Sequence, residues 1–257
     1  MLSARPSPCL IRTAPRGANP FTRPVFTGPT TTQTGPVHSG GTINKDTTMT
    51  TIIQQRRPFN LRYIVREAGG IHGDDMRMLH RTASCNYRYI VRENGLDEFG
   101  PTPDFAARRD LFDHGRCAPV AGHDKAYAGI IIWEAADAAA RERRPELATA
   151  MHAVGSLPLD GDRRSWRAMV EAFGEDHLTS RGMVVDWGIH VPPEDNNGLA
   201  TPPHCHWIIT SRMWRQDRDP GRHQKAWLST KAQVNRLADA WYALTGLYPV
   251  DYRKPAG

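Results

Sequence analysis

The sequence predicts an α+β fold, an antiparallel sheet carrying a histidine motif with helices packed mainly on one face. Two apolar β-branched runs flank a Pro- and Asn-rich loop, residues 191 to 203, which is the signature of adjacent antiparallel strands. Three amphipathic stretches of unequal length are interleaved with the strand-like runs, the pattern of a mixed sheet-and-helix layer. At 257 residues and 39% hydrophobic content the chain can bury one sizeable core, with two small domains as the upper limit.

Residues 1 to 48 are dominated by Pro, Thr, Gly and Ser, and no acidic residue precedes Asp46. Such a segment buries too little apolar surface to offset its ordering entropy, so a disordered Pro/Thr-rich extension is expected there. Its acid-poor composition is also that of an organellar transit peptide, but the prolines and the lack of an amphipathic pattern argue against one. Met49 is an alternative start, and the folded domain is expected over residues 49 to 257.

Thr51-Ile52-Ile53 and Leu61-Arg62-Tyr63-Ile64-Val65 read as short strands. The run from Thr82 to Glu93 opens as a helix with Thr82 or Ser84 as N-cap, while Ile90-Val91 leaves a strand open. Arg62-Tyr63-Ile64-Val65-Arg66-Glu67 recurs as Arg88-Tyr89-Ile90-Val91-Arg92-Glu93, but two copies are too few for a stacked repeat architecture. Residues 127 to 153, rich in Ala, Glu, Arg and Leu, predict a long helix ending before Gly155 and Pro158. Residues 163 to 180 predict a second, with Trp166, Met169, Val170, Phe173 and Leu178 on one face and Gly182 as its stop. Residues 229 to 245 predict a third, with Val234, Leu237, Trp241 and Leu244 on one side and Gly246 closing it.

The chemistry-bearing residues sit on the strands. In Pro203-His204-Cys205-His206-Trp207-Ile208-Ile209-Thr210 the alternation of a strand puts His204 and His206 on one face, roughly 7 Å apart at Cα. Antiparallel pairing with Met183-Val184-Val185-Asp186-Trp187-Gly188-Ile189-His190 brings a third imidazole, His190, towards them. Three imidazoles with open positions describe a catalytic metal site better than a closed structural one, which normally takes four protein ligands. Asp186 shares the face of His190 and is the candidate to support it, with a plain sheet-edge charge as the competing reading. Cys205 and Trp207 face the other way, and Trp207 is expected in the core.

A net charge of +6 and a pI near 9.3 favour an acidic partner, with nucleic acid ahead of membrane. No apolar run approaches the ~18 residues of a membrane span. The four cysteines, Cys9, Cys85, Cys117 and Cys205, lack paired metal spacing and read as reduced thiols of a cytoplasmic protein.

With these motifs in place, the chain resembles the MobA/MobL group of plasmid relaxases, single-strand DNA nickases of the HUH endonuclease superfamily. The likeness spans roughly residues 80 to 245. It is carried by Ser180 through His190, by Pro203-His204-Cys205-His206 and by Ile209-Thr210-Ser211-Arg212, with support from Trp133-Glu134-Ala135-Ala136, Leu157-Pro158 and the Trp227 to Trp241 segment. The resemblance implies an HUH relaxase-like fold and carries the family's metal ligands over to His190, His204 and His206. It implies a divalent cofactor, Mn²⁺ or Mg²⁺ first and Zn²⁺ as an alternative. Thr82-Ala83-Ser84-Cys85-Asn86-Tyr87-Arg88-Tyr89-Ile90-Val91-Arg92-Glu93 is similar to the run that bears the family's nucleophile, which nominates Tyr89, with Tyr87 and Tyr63 as rivals.

The activity so implied is conjugative mobilisation: strand-specific nicking at an origin of transfer by tyrosine transesterification, through a 5′-phosphotyrosyl intermediate. A phenol is a weak nucleophile near neutral pH until a metal, a base or hydrogen bonding favours the phenolate. Arg88, Arg92, Arg181 and Arg212 flank the motifs and are expected to hold the strand, with Trp207 and Trp214 as stacking candidates. Accessory mobilisation proteins and a coupling protein are the implied partners, and unwinding is expected to come from other proteins. One departure stands out. Where the family carries an acidic residue before Leu157-Pro158, this chain has Met151-His152-Ala153-Val154-Gly155-Ser156. That departure keeps alive a non-catalytic DNA-binding remnant, and an HUH replication initiator is the second alternative.

Overall fold

The computed structural model describes residues 51–52, 58–67, 78–119, 129–145, 147–193, 199–214, 223–224 and 230–249. The first half runs β1 (Thr51–Ile52), β2 (Phe59–Ile64), α1 (Ala83–Val91), β3 (Leu96–Asp97), β4 (Gly100–Pro101), β5 (Leu111–Cys117) and α2 (Ile131–Arg141). The second runs β6 (Ala150–Ser156), α3 (Arg163–Phe173), β7 (Val185–His190), β8 (Leu199–Ala200), β9 (His204–Thr210) and α4 (Lys231–Thr245). The principal sheet has five antiparallel strands in the order β2-β6-β9-β7-β5. The α+β class and the antiparallel sheet bearing the histidines are as the sequence predicts.

The helices do not gather mainly on one face. α3 and α4 cover one side, where Trp166, Val170, Phe173, Leu237 and Trp241 pack on Phe59, Leu61, Met151, Trp187, Cys205, Trp207 and Ile209. α1 and α2 cover the other, where Ala83, Ile90, Ile132, Trp133 and Ala136 pack with Ile64, Ala150, Val184, Ile208 and Trp214. The reason is in the strands. β7 is buried at every position and β9 at all but its first, so both faces of the central strands need a cover. Trp207 lies at the centre of the first core, its ring 4.8 Å from that of Trp241 and 5.2 Å from that of Phe173. Trp214 is equally buried in the second, which removes it as a base-stacking platform.

The run from Thr82 is a helix. The Thr82 hydroxyl accepts from the Cys85 amide, and Asp137 of α2 accepts from the amides of Ala83 and Ser84, so the first free donors of α1 are satisfied from two sides. The long helix expected over residues 127 to 153 stops at Arg141, and residues 150 to 156 form β6. Helix propensity loses there to the sheet. β6 lies between β2 and β9 and is hydrogen-bonded on both edges, with only Val154 not fully buried. The second predicted helix is α3, continued by a π-helical turn (Gly174–Leu178) and a 3₁₀ turn (Thr179–Arg181) and ended by Gly182 at φ 88°. The third is α4, capped by Thr230 and closed by Gly246 at φ 72°. The extension over residues 1 to 48, Ile53, the start of the 127 to 153 stretch and Trp227 lie outside the described residues.

Candidate metal and nucleophile site

The site is assembled from the hydrogen-bond register of three strands. β7 and β9 pair so that His190 stands opposite His204 and Gly188 opposite His206. All three imidazoles lie on the α1/α2 face, and one ligand atom from each falls within 4.8 Å of the others. Ring centroids are 4.6 Å apart for His190 and His206, 5.0 Å for His204 and His206, and 5.6 Å for His190 and His204. From the other side β6 places Val154 opposite His206 and brings His152 to the same face, its ring 5.1 Å from that of His206.

Hydrogen bonds fix how each ring presents itself. His204 Nδ1 lies 2.9 Å from the Pro202 carbonyl oxygen and donates to it, which leaves a lone pair on Nε2. His206 Nδ1 is 2.8 Å from His152 Nε2, and His152 Nδ1 is 2.9 Å from Asn86 Oδ1. The other nitrogen of His206, Nε2, is buried and without a protein partner. His190 spends both its nitrogens. Arg92 donates to Nδ1 at 2.9 Å, and Nε2–H donates to the Ile90 carbonyl at 2.9 Å. A cation can take the Nδ1 lone pair of His190 only as Arg92 releases it.

Electrostatics keep these rings in the ligand form. Burial, then the Arg92 charge, pushes His190 down to about 3, against a smaller upward pull from the Ile90 carbonyl. Burial likewise holds His206 well below its ordinary value, and lowers His204 despite the Pro202 carbonyl. His152 is pushed down to about 3, again chiefly by burial. Three neutral imidazoles, His190, His204 and His206, the last with a buried bare nitrogen, form a donor set that fits a divalent ion, while both nitrogens of His152 are engaged by Asn86 and His206.

α1 lays Tyr89 across this cluster. Its ring meets that of His206 edge-on at 5.2 Å, and those of His190 and His152 at 6.0 Å. His80 and Phe105 hold the ring from outside, at 5.8 and 5.4 Å. The helix can come this close because residue 188 is glycine. A Cβ there would stand 2.4 Å from the Ile90 carbonyl oxygen. The rivals are placed differently. Tyr63 packs against the α3/α4 core on the opposite side of the sheet; Tyr87, though packed against the α1/α2 core as Tyr89 is, faces the charges of Asp186 and Arg116.

Of the arginines singled out in the sequence, Arg92 alone touches the cluster. It closes α1 in the left-handed region at φ 58°, forms a bidentate ion pair with Asp110 at 2.7 and 2.8 Å, and lies over the Tyr89 ring. Burial raises the Asp110 carboxyl, but the Arg92 hydrogen bond and charge outweigh it and hold the group below its usual range. Arg88 folds away to the Asn94 carbonyl and Glu134. Arg181 precedes β7 and Arg212 follows β9, so both stand at the end of that strand pair remote from His190 and His204. Asp186 does share the face of His190, but its carboxylate is taken by Arg116 at 2.6 and 2.5 Å and by Trp133 Nε1 at 2.5 Å. It anchors β7 to β5 and α2 rather than reaching an imidazole.

Sequence reasoning missed several residues that the fold brings in. Beside Tyr89 and His206 opens a cleft of about 500 Å³, lined among others by Asn60, Arg62, His80, Arg108 and His152. Arg62 had a signal, since alternation with Ile64 puts it on the histidine face once β2 is placed in the sheet. Asn86, Arg108 and Asp110 had none, because their roles depend on contacts remote in sequence.

The MobA/MobL family model matches residues 82–241, from the N-cap of α1 to the buried Trp241 of α4. Among solved structures, one concerned with the molecular basis of vancomycin resistance transfer in Staphylococcus aureus is similar over 73% of this chain and 89% of its own, at 18% identity and a TM-score of 0.53. At that identity the likeness is one of fold. No curated protein matches the chain.

Proposed function

The chain belongs to the MobA/MobL family, and from that membership we propose that it is a relaxase that nicks one DNA strand at an origin of transfer. The observation that carries the reading is the apposition of the Tyr89 ring, 5.2 Å from that of His206, to three clustered imidazoles of which His206 holds a buried bare nitrogen. Tyr89 is the nucleophile. Its Oη gives up its proton and forms a bond to phosphorus as the bond from phosphorus to O3′ breaks, and the departing O3′ takes a proton, so the proton count is unchanged. The strand then ends in a free 3′-hydroxyl, with its 5′ phosphate esterified to Tyr89. One phosphodiester replaces another, so the step reverses when the 3′-hydroxyl attacks.

His190, His204 and His206 would hold a divalent ion, Mn²⁺ or Mg²⁺ first and Zn²⁺ as an alternative. Such an ion, when bound, supplies positive charge to the non-bridging phosphate oxygens as charge builds in the transition state. Arg92 yields His190 Nδ1 to the ion and continues to back the Tyr89 ring, while Asp110 neutralises Arg92. Arg62 and Arg108 line the cleft and receive the scissile strand's phosphates, a role the sequence reading gave to Arg88, Arg92, Arg181 and Arg212. Asp186 keeps β7 in register through Arg116. Single-stranded DNA at the origin is the substrate, and accessory mobilisation proteins with a coupling protein complete the transfer machinery, in the cytoplasm. No helix among the described residues is long and apolar enough to cross a membrane.

The test is covalent capture. Protein with Mn²⁺ or Mg²⁺ is mixed with labelled single strands spanning its replicon's candidate origins and run on a denaturing gel. A metal-dependent adduct supports the reading. Protein that binds both metal and DNA yet yields no adduct with any strand would favour a DNA-binding remnant instead.

A further inference from the structure

A chain of three side chains fixes which nitrogen of His206 carries its proton. Asn86 Nδ2 lies 2.8 Å from the His80 carbonyl and 2.7 Å from the Thr82 carbonyl, and donates to both. The amide oxygen Oδ1 is thereby turned to His152 Nδ1 at 2.9 Å. An amide oxygen only accepts, so His152 must carry its hydrogen on Nδ1. His152 is 1% exposed, and a second ring proton would bury an uncompensated charge beside a neutral amide. Its Nε2 is therefore a lone pair. That lone pair faces His206 Nδ1 at 2.8 Å and can only accept, so His206 carries its hydrogen on Nδ1. What remains is a bare lone pair on His206 Nε2, the buried atom without a protein partner.

We propose that Asn86 and His152 are positioning residues that hold His206 in the one tautomer able to bind a cation through Nε2, by a relay that ends in a neutral amide. A metal-bound imidazole is normally backed by a carboxylate, a carbonyl or water, which orients the ring and raises its basicity. Here the relay orients the ring without lending it a negative charge. The nearby carboxylates are committed elsewhere: Asp137 to Ala83 and Ser84, Asp186 to Arg116 and Trp133, and Asp110 to Arg92. In the stretch Met151 to Ser156, which lacks the acidic residue of the family pattern, it is His152 that backs His206. Asn86, three residues before Tyr89 on α1, ties the helix that bears the nucleophile to the strand that bears the ligand.

The inference rests on reading His206 as a ligand, and its test is read without DNA. Metal-free full-length protein labelled with ¹⁵N in histidine is examined by long-range ¹H–¹⁵N correlation, which reports the protonated nitrogen of each ring. Wild type is expected to show Nδ1–H for both His152 and His206. Asn86→Ala removes the acceptor that orders the relay, so His206 acquires an Nε2–H population and Mn²⁺ affinity by calorimetry falls about 10–100-fold. Asn86→Asp loses the two donations to the His80 and Thr82 carbonyls and sets a carboxylate against His152, whose ring can then hold a second proton and donate from Nε2; His206 is expected to shift towards Nε2–H, which a merely structural role for Asn86 would not produce. A wild-type His206 protonated on Nε2 overturns the proposal, whether or not the variants fold. So does an Asn86→Ala protein with unchanged tautomers and unchanged Mn²⁺ affinity. Absence of a DNA adduct with the tautomers and Mn²⁺ binding as derived would defeat the nickase reading and leave the relay standing.

Discussion

Replacing Gly188 by alanine tests whether the seating of α1 on β7 holds the site together. The added Cβ would stand 2.4 Å from the Ile90 carbonyl oxygen, where ordinary contacts begin at 3.4 Å, so in a close-packed interior the helix must withdraw by about 1 Å. The obstructing atom is backbone, and no rotamer change relieves it. The same carbonyl accepts from His190 Nε2 at 2.9 Å, and that bond lengthens as the helix retreats. Overpacking of this kind costs about 1–3 kcal/mol and the lost hydrogen bond about 1 kcal/mol more, so urea unfolding should show a loss of about 2–4 kcal/mol. Tyr89 rides on the displaced turn, one residue before Ile90, and a nucleophile misplaced by about 1 Å forfeits on the order of 100-fold in rate. The assay is the initial rate of covalent adduct formation on an origin strand at saturating Mn²⁺, with circular dichroism to establish that the variant folds. Wild-type stability together with a wild-type rate in Gly188→Ala would refute the reasoning.

Three further outcomes follow from the same contacts. Arg92→Ala leaves the buried Asp110 carboxylate without its partner, the pair's side chains being 4% and 10% exposed, and denaturant unfolding should register a loss of about 3–5 kcal/mol. Arg92→Lys should recover little of it, since one ammonium cannot reproduce the fork that grips Asp110 and His190 together. Burial raises Asp137 from 3.8 to about 6, despite three hydrogen bonds that favour its carboxylate. The folded state then binds the proton more tightly than the unfolded, so this group's stabilisation is fully present below pH 3.8 and is lost as pH rises through about 6. The stability difference between wild type and Asp137→Asn, followed by urea titration across that window, should shift in favour of wild type on the acidic side, and a pH-independent difference would contradict it. Tyr63→Phe and Tyr87→Phe should form the DNA adduct at the wild-type rate, because Tyr63 lies on the opposite side of the sheet and Tyr87 faces Asp186 and Arg116 while Tyr89 meets the imidazoles, and loss of adduct in either would reassign the nucleophile.

What could be read from the sequence was set by short-range periodicity. His204 and His206 share a face because they are two residues apart in a strand, and His190 joins them because the flanking runs pair across one loop. The end of α4 was legible for the same reason, since Gly246 acts within one turn of the helix it closes. β6 was not, because Ala150-Met151-His152-Ala153 has the composition of a helix and becomes a strand only when β2 and β9 claim both its edges. β5 carries Asp113, His114 and Arg116 and breaks the apolar alternation; Asp113 is satisfied by Arg163 of α3 and Arg116 by Asp186 of β7, pairings invisible in the local string. Helical periodicity identified the buried side of α3 and, apart from the exposed Leu244, that of α4, but not the face of the sheet each helix covers, and so the helices were expected together and are found apart. His152 registered only as a departure from a pattern. Its hydrogen bonds to Asn86 and His206 join residues 66 and 54 positions away.

The account stands or falls on which atom takes the phosphate. The covalent product formed with Mn²⁺ on an origin strand should be isolated, trimmed with nuclease and protease, and fragmented by mass spectrometry to locate the nucleotide. The account predicts a nucleotide 5′-phosphate on the Tyr89 side chain, absent when the metal is chelated and absent from Tyr89→Phe. A nucleotide on Tyr87, on Tyr63 or on a residue outside α1, or an adduct that persists in Tyr89→Phe, would contradict it.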